Sequence, residues 1–198
     1  LMKKSVIIIV LLFGLLVSCS TCSMGDLIQT TDINYYPEIW DLPERHSGFY
    51  VYELYGYNSV GLLFPETTDD KTVVHFIFRY LTLLPVGTEY QLELAISYSD
   101  TDFEEEVERL KKIGDKCPVI GDTDYFSLPV YATVWNYYGA FEYALVDSSI
   151  NTIYYLTLQY VSKKELVIEE QLIPKGYFGE IDSPEYSVYE DLHNAQTT

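Results

Sequence analysis

Tyr90-Gln-Leu-Glu-Leu-Ala-Ile-Ser-Tyr98 is followed, after Ser99 and Asp100, by Thr101-Asp-Phe-Glu-Glu-Glu-Val-Glu-Arg-Leu-Lys-Lys-Ile113, and the change of period between them decides the fold. In the first stretch Tyr90, Leu92, Leu94, Ile96 and Tyr98 point one way, and Gln91, Glu93, Ala95 and Ser97 the other. A period of two with one apolar side makes an antiparallel strand with one wet face. In the second stretch Phe103, Val107, Leu110 and Ile113 recur at helical spacing as a single stripe. Thr101 and Glu104 fit a capping box, in which hydroxyl and carboxylate satisfy amides at the helix start. Acids fill the first turns and Arg109, Lys111 and Lys112 the last, as the helix dipole favours. Gly114 stops the helix.

Upstream, Val73 to Leu81 predicts a long strand with Val74, Phe76, Phe78 and Tyr80 on one face and His75 and Arg79 on the other. Phe49 to Leu54 and Val60 to Phe64 are also strand-like. Downstream, Leu128 to Trp135 and Ala140 to Val146 flank Asn136-Tyr-Tyr-Gly139, a hairpin signal, and Ile153 to Val161 completes a meander. Lys163 to Tyr177 fits either a strand or a short helix ending at Pro174. The expected fold is α+β: an antiparallel sheet of six to seven strands with one amphipathic helix packed on one face. The domain is expected over 37–183, opening on an irregular lead-in around Trp40. Residues 184–198 read as a disordered tail.

Residues 2–19 carry a separate message. Lys3 and Lys4 precede an apolar run from Val6 to Val17, which ends in Ser18 and Cys19. That is the pattern of a secretory signal, and the run is shorter than the roughly 20 residues a spanning helix needs. An ordinary signal would end in an Ala-x-Ala-like site, whereas Val17 and Cys19 stand at the positions that want small residues. Leu16-Val17-Ser18-Cys19 resembles the lipobox of bacterial prolipoproteins. The resemblance implies cleavage before Cys19, diacylglycerol on its thiol, and a protein anchored to the cell membrane on the extracytoplasmic side. The chain thus divides into a signal peptide over 1–18, a flexible tether over 19–36, the domain and the tail. The run from Tyr98 through the helix to Tyr160 is similar to small uncharacterised secreted lipoproteins of Gram-positive bacteria, a likeness that brings no activity with it.

Charge narrows the partners. The whole chain has a formal net charge of −18, and loss of residues 1–18 leaves ten basic against 30 acidic residues. Such a surface repels nucleic acid and anionic lipid headgroups, both of which need clustered Lys and Arg. The membrane is therefore expected as a partner through the lipid on Cys19 alone. Tyrosine is the outlier at 20 of 198 residues. Exposed tyrosines suit recognition of glycan or of another surface protein; alternating ones simply favour strands.

Motifs for chemistry are sparse. Cys19-Ser-Thr-Cys22 has redox-pair spacing, but acylation removes the Cys19 thiol, and Cys22 either pairs with Cys117 or stays reduced. His46, His75 and His193 fall on a loop, a strand and the tail, without metal or nucleophile motifs. Asp100, Asp102 and Glu104 mimic the opening of a calcium loop, but Glu105 stands where the turn requires glycine. Asp122 and Asp124 share a turn. Glu53, Glu93 and Glu142 fall within strands, where two could form a glycosidase pair if the sheet set them at suitable separation; otherwise they mark wet faces. No catalytic residue, metal ligand or cofactor is assigned, and Cys19 is the one predicted site. The sequence thus points to a lipid-anchored surface module that binds or serves a structural role. The alternative is a surface hydrolase acting on glycan or peptide.

Overall fold

The computed structural model describes residues 27–39, 63–83, 87–114, 126–135, 140–159 and 161–178. The signal segment, Cys19, Cys22, Trp40, His46, Glu53, Cys117, Asp122, Asp124, His193 and the tail over 184–198 lie outside them, as does the strand-like run over 49–62.

Six strands pair antiparallel: β1 (Leu27–Thr30), β2 (Thr72–Leu83), β3 (Gly87–Ser97), β4 (Val130–Trp135), β5 (Ala140–Asp147) and β6 (Thr152–Gln159). Their spatial order is β1-β2-β3-β6-β5-β4. A single helical turn, α1 (Tyr36–Ile39), follows β1, and the long helix α2 (Asp100–Gly114) links β3 to the far edge strand β4. The expected α+β class, the helix and the β4-β5-β6 meander are all present.

The alternation of β3 sets the layers. Tyr90, Leu92 and Leu94 pair with Tyr80, Phe78 and Phe76 of β2 on one face. Phe103, Val107 and Leu110 of α2 pack on that face, together with Tyr36, Ile39, Leu63 and Phe64. Helix and sheet thereby bury each other's apolar stripe, the main stabilising term of the fold.

The second face is not wet. Gln91, Glu93 and Ala95 are buried. Ile77, Tyr143, Leu145, Leu156 and Leu158 form a second apolar cluster there with Val161, Ile168, Leu172, Ile173 and Tyr177. The C-terminal residues 161–178 therefore run across the sheet as a strap. They form neither the strand nor the helix that the sequence left open, but two short 3-10 turns, Lys163–Glu165 and Glu170–Leu172, joined by extended chain. The sheet is sandwiched rather than half exposed.

Three further expectations need correcting. Residues 27–36 belong to the folded unit, not to a tether: β1 pairs with the β2 edge from Leu27↔Leu81 to Thr30↔Phe78, and Tyr36 is buried with its hydroxyl donating to the Pro65 carbonyl at 2.6 Å. Val74 does not share a face with Phe76. A bulge between Val73 and His75 shifts the register and leaves Val74 exposed, since a bulged residue has no partner to face. The helix cap is Ser99, not Thr101. Ser99 Oγ accepts from the Asp102 amide at 3.3 Å and donates to the Asp102 carboxylate at 2.7 Å, so the reciprocal cap lies two residues upstream of the expected one.

Candidate functional site

Where β2 begins, β3 ends and α2 starts, the chain leaves a cleft of about 570 Å³. Asp70, Lys71 and Thr72 form one wall, Ser97, Tyr98 and Ser99 the floor, and Asp102, Glu105, Glu106 and Arg109 of α2 the other wall. These residues meet for a simple reason. The β2-β3 register puts Thr72 opposite Ser97, and α2 leaves the end of β3 at once, turning the side opposite its apolar stripe toward the same opening. The β5–β6 turn steadies this corner. Asn151 adopts a left-handed conformation with φ 48°, which asparagine tolerates. Its carbonyl accepts from the Tyr98 amide at 2.9 Å and its side chain donates to Asp100 at 2.6 Å.

At the back of the cleft the polar groups form a chain. The Tyr98 and Tyr155 hydroxyls are 2.7 Å apart, and Tyr155 donates to Glu106. Glu106 also receives Nε and Nη2 of Arg109 at 2.8 and 2.7 Å. Arg109 continues to the Leu63 carbonyl, while the Leu63 amide donates to Glu142 at 2.8 Å. Arg109 and Glu142 thus clasp the Leu63 peptide from both sides. Burial pushes the Tyr98 and Tyr155 phenols well above their ordinary range, and the negative charge of Glu106 adds to this. Both remain neutral hydrogen-bonding groups near neutral pH. Lys71 carries its ammonium 5.8 Å from the centre of the Tyr98 ring, a cation–π contact, and 3.7 Å from Asp70.

The residues singled out from the sequence are scattered by the fold. Glu93 lies on the strap face of β3, and Glu142 on the helix face of β5. They cannot flank one substrate, and the glycosidase pair between them is excluded. Neither marks a wet face, since both are buried. His75 is paired with Glu93 at 2.9 Å. Asp100 and Asp102 are engaged by Asn151 and Ser99. Among the described residues no group of three His, Cys, Asp or Glu side chains is placed to hold a metal ion. The abundant tyrosines are mostly interior: Tyr36, Tyr80, Tyr90, Tyr143, Tyr155 and Tyr177 are fully buried.

Lys71, Tyr98 and Tyr155 were not legible as site residues, because the cleft depends on strand register. Glu106 and Arg109 left a faint signal. They are oppositely charged at i,i+3 and flank the apolar stripe, where such a pair forms readily.

The chain matches no protein-family model, no curated protein and no solved structure.

Proposed function

We propose that this chain is a non-catalytic binding module, held at the extracytoplasmic face of a cell membrane by a lipid on Cys19. Its cleft would take a polar ligand, either a glycan or a segment of another surface protein. The observation that carries this reading is the cleft. Its volume falls in the range of small-ligand sites, roughly 300–1,000 Å³, and its lining offers hydroxyls, carboxylates, one ammonium and one aromatic ring. Such a mixture suits hydroxyl-rich or peptide groups.

The same geometry argues against proton-transfer chemistry. A hydrolase of the two-carboxylate type needs two carboxyl groups in one space, with environments that drive their pKa values apart. Both oxygens of Glu106 are already occupied by Arg109, one also by Tyr155. The carboxyls that burial lifts in pKa, Glu89 and Glu93, sit on the strap side of the sheet. The alternative, a surface hydrolase, would have to rely on Asp102 and Glu105, which line the cleft.

NMR titration of the chain with a panel of neutral glycans and short peptides tests the reading. Shifts concentrated at Tyr98, Ser99 and Glu105, weakened by Glu105→Gln and without product formation, support it. Turnover of any ligand, abolished in Asp102→Asn or Glu105→Gln, replaces it with the hydrolase.

A further inference from the structure

One buried acid is used by neither the cleft nor the packing of the strap. Glu93 is 2% exposed. Its Oε1 lies 2.9 Å from Nδ1 of His75, whose side chain is 49% exposed. Its Oε2 is buried without a hydrogen-bond partner.

The surroundings make an ionised carboxylate costly. Burial raises the Glu93 carboxyl above its ordinary range, His75 pulls it back, and Glu169 on the strap pushes it up again. Tyr143 of β5 and Tyr154 of β6 also feel its charge. Further along β2, Arg79 is taken by Glu89 and Glu165. His75 is thus the group beside Glu93 that can bring positive charge. A buried carboxylate with one undonated oxygen is among the least favourable arrangements in a protein interior.

We propose that the strap closes on the sheet with one proton held between His75 and Glu93, and that loss of this proton loosens residues 161–178. With the proton, the pair is neutral overall. Without it, a negative charge faces Glu169 and keeps an oxygen that nothing donates to. When the strap lifts, water reaches Glu93 and its carboxyl returns toward the ordinary value of about 4.3. Closure therefore takes up a proton. It is most favourable at mildly acidic pH, weakens as the pH rises above the ordinary carboxylate range, and levels off once the closed pair has lost its proton.

Hydrogen–deuterium exchange on the full chain tests this, with strap amides corrected for intrinsic exchange and β3 amides as the internal reference. One linked proton allows at most about a tenfold change in opening per pH unit. Between pH 5 and pH 7.5 the strap should lose at least about tenfold of its protection, within that limit. Glu93→Gln should remove the dependence. Equal protection at both pH values, or a dependence that survives in Glu93→Gln, overturns the proposal. Should that variant fail to fold, carbon-13 NMR of the unaltered chain decides. A Glu93 carboxyl midpoint above those of the other glutamates supports the proposal, and one in the ordinary range overturns it.

Discussion

The backbone amide of Val167 donates to the side-chain carbonyl of Gln91 at 2.9 Å, so a side chain of β3 completes the hydrogen bonding of a strap residue 76 positions later. The Gln91 amide nitrogen returns the bond to the Glu165 carbonyl at 2.7 Å. A buried glutamine thus acts as a short piece of ladder between the sheet and a segment that has no strand of its own. Gln91→Leu keeps the volume but leaves the Val167 amide without its partner, which costs about 1–3 kcal/mol. Urea unfolding should show the loss, and an unchanged midpoint would mean that the strap is held by apolar contact alone.

Arg79 lies between Glu89 and Glu165, and both Arg79 and Glu89 are buried. Arg79→Met should cost about 3–5 kcal/mol at pH 7, because it strands the Glu89 charge in the interior. Burial already raises the Glu89 carboxyl above its ordinary range, partly offset by Gln91 and Arg79. Losing Arg79 moves it further up. The variant's deficit should therefore shrink as the pH falls and Glu89 takes up a proton. Stability measured at pH 7 and pH 5 checks the sign, and a deficit that grows on acidification contradicts this account.

Leu110 is fully buried against the sheet, whereas Glu105 is on the exposed side of α2. Leu110→Ala is expected to cost about 2–5 kcal/mol. Glu105→Ala should stay within about 0.5 kcal/mol of the parent. Equal urea midpoints for the two variants would refute the face assignment.

The cap at Ser99 makes a sharper comparison. Ser99→Ala should cost about 0.5–2 kcal/mol through loss of the Asp102 bonds, while Thr101→Ala should be nearly silent. Thermal melts of the two variants distinguish the observed cap from the one the sequence suggested.

For the membrane anchor, Cys19→Ala should leave an unprocessed precursor and abolish labelling by a fatty-acid probe. Each buried methylene of an acyl chain contributes about 0.8 kcal/mol, and two chains make anchoring stable. Labelling that persists in the variant would remove the lipid from the proposed function.

How far the sequence could be read depended on the reach of each interaction. The apolar side of β3 and the stripe of α2 were legible because period and packing are local. The fate of Gln91 and Glu93 was not. Their polarity suggested water, but residues 161–178 cover them without any period that would announce a strand or a helix. The bulge at Val74 was hidden for a related reason, since one extra residue shifts a register without disturbing composition. The cleft was the least legible feature. It arises where Thr72 meets Ser97, and neither residue is distinctive alone.

The strap also sets an order of events for the growing chain. Its contacts reach back 86 residues, from Glu165 to Arg79. Ribosomes deliver these last residues after every strand has emerged, and such distant contacts close slowly. Until they arrive, an assembled sheet would leave Ile77, Leu145, Leu156 and Leu158 uncovered. A chain cut short before Val161 should therefore self-associate through this bare surface rather than remain a monomer lacking only its final segment.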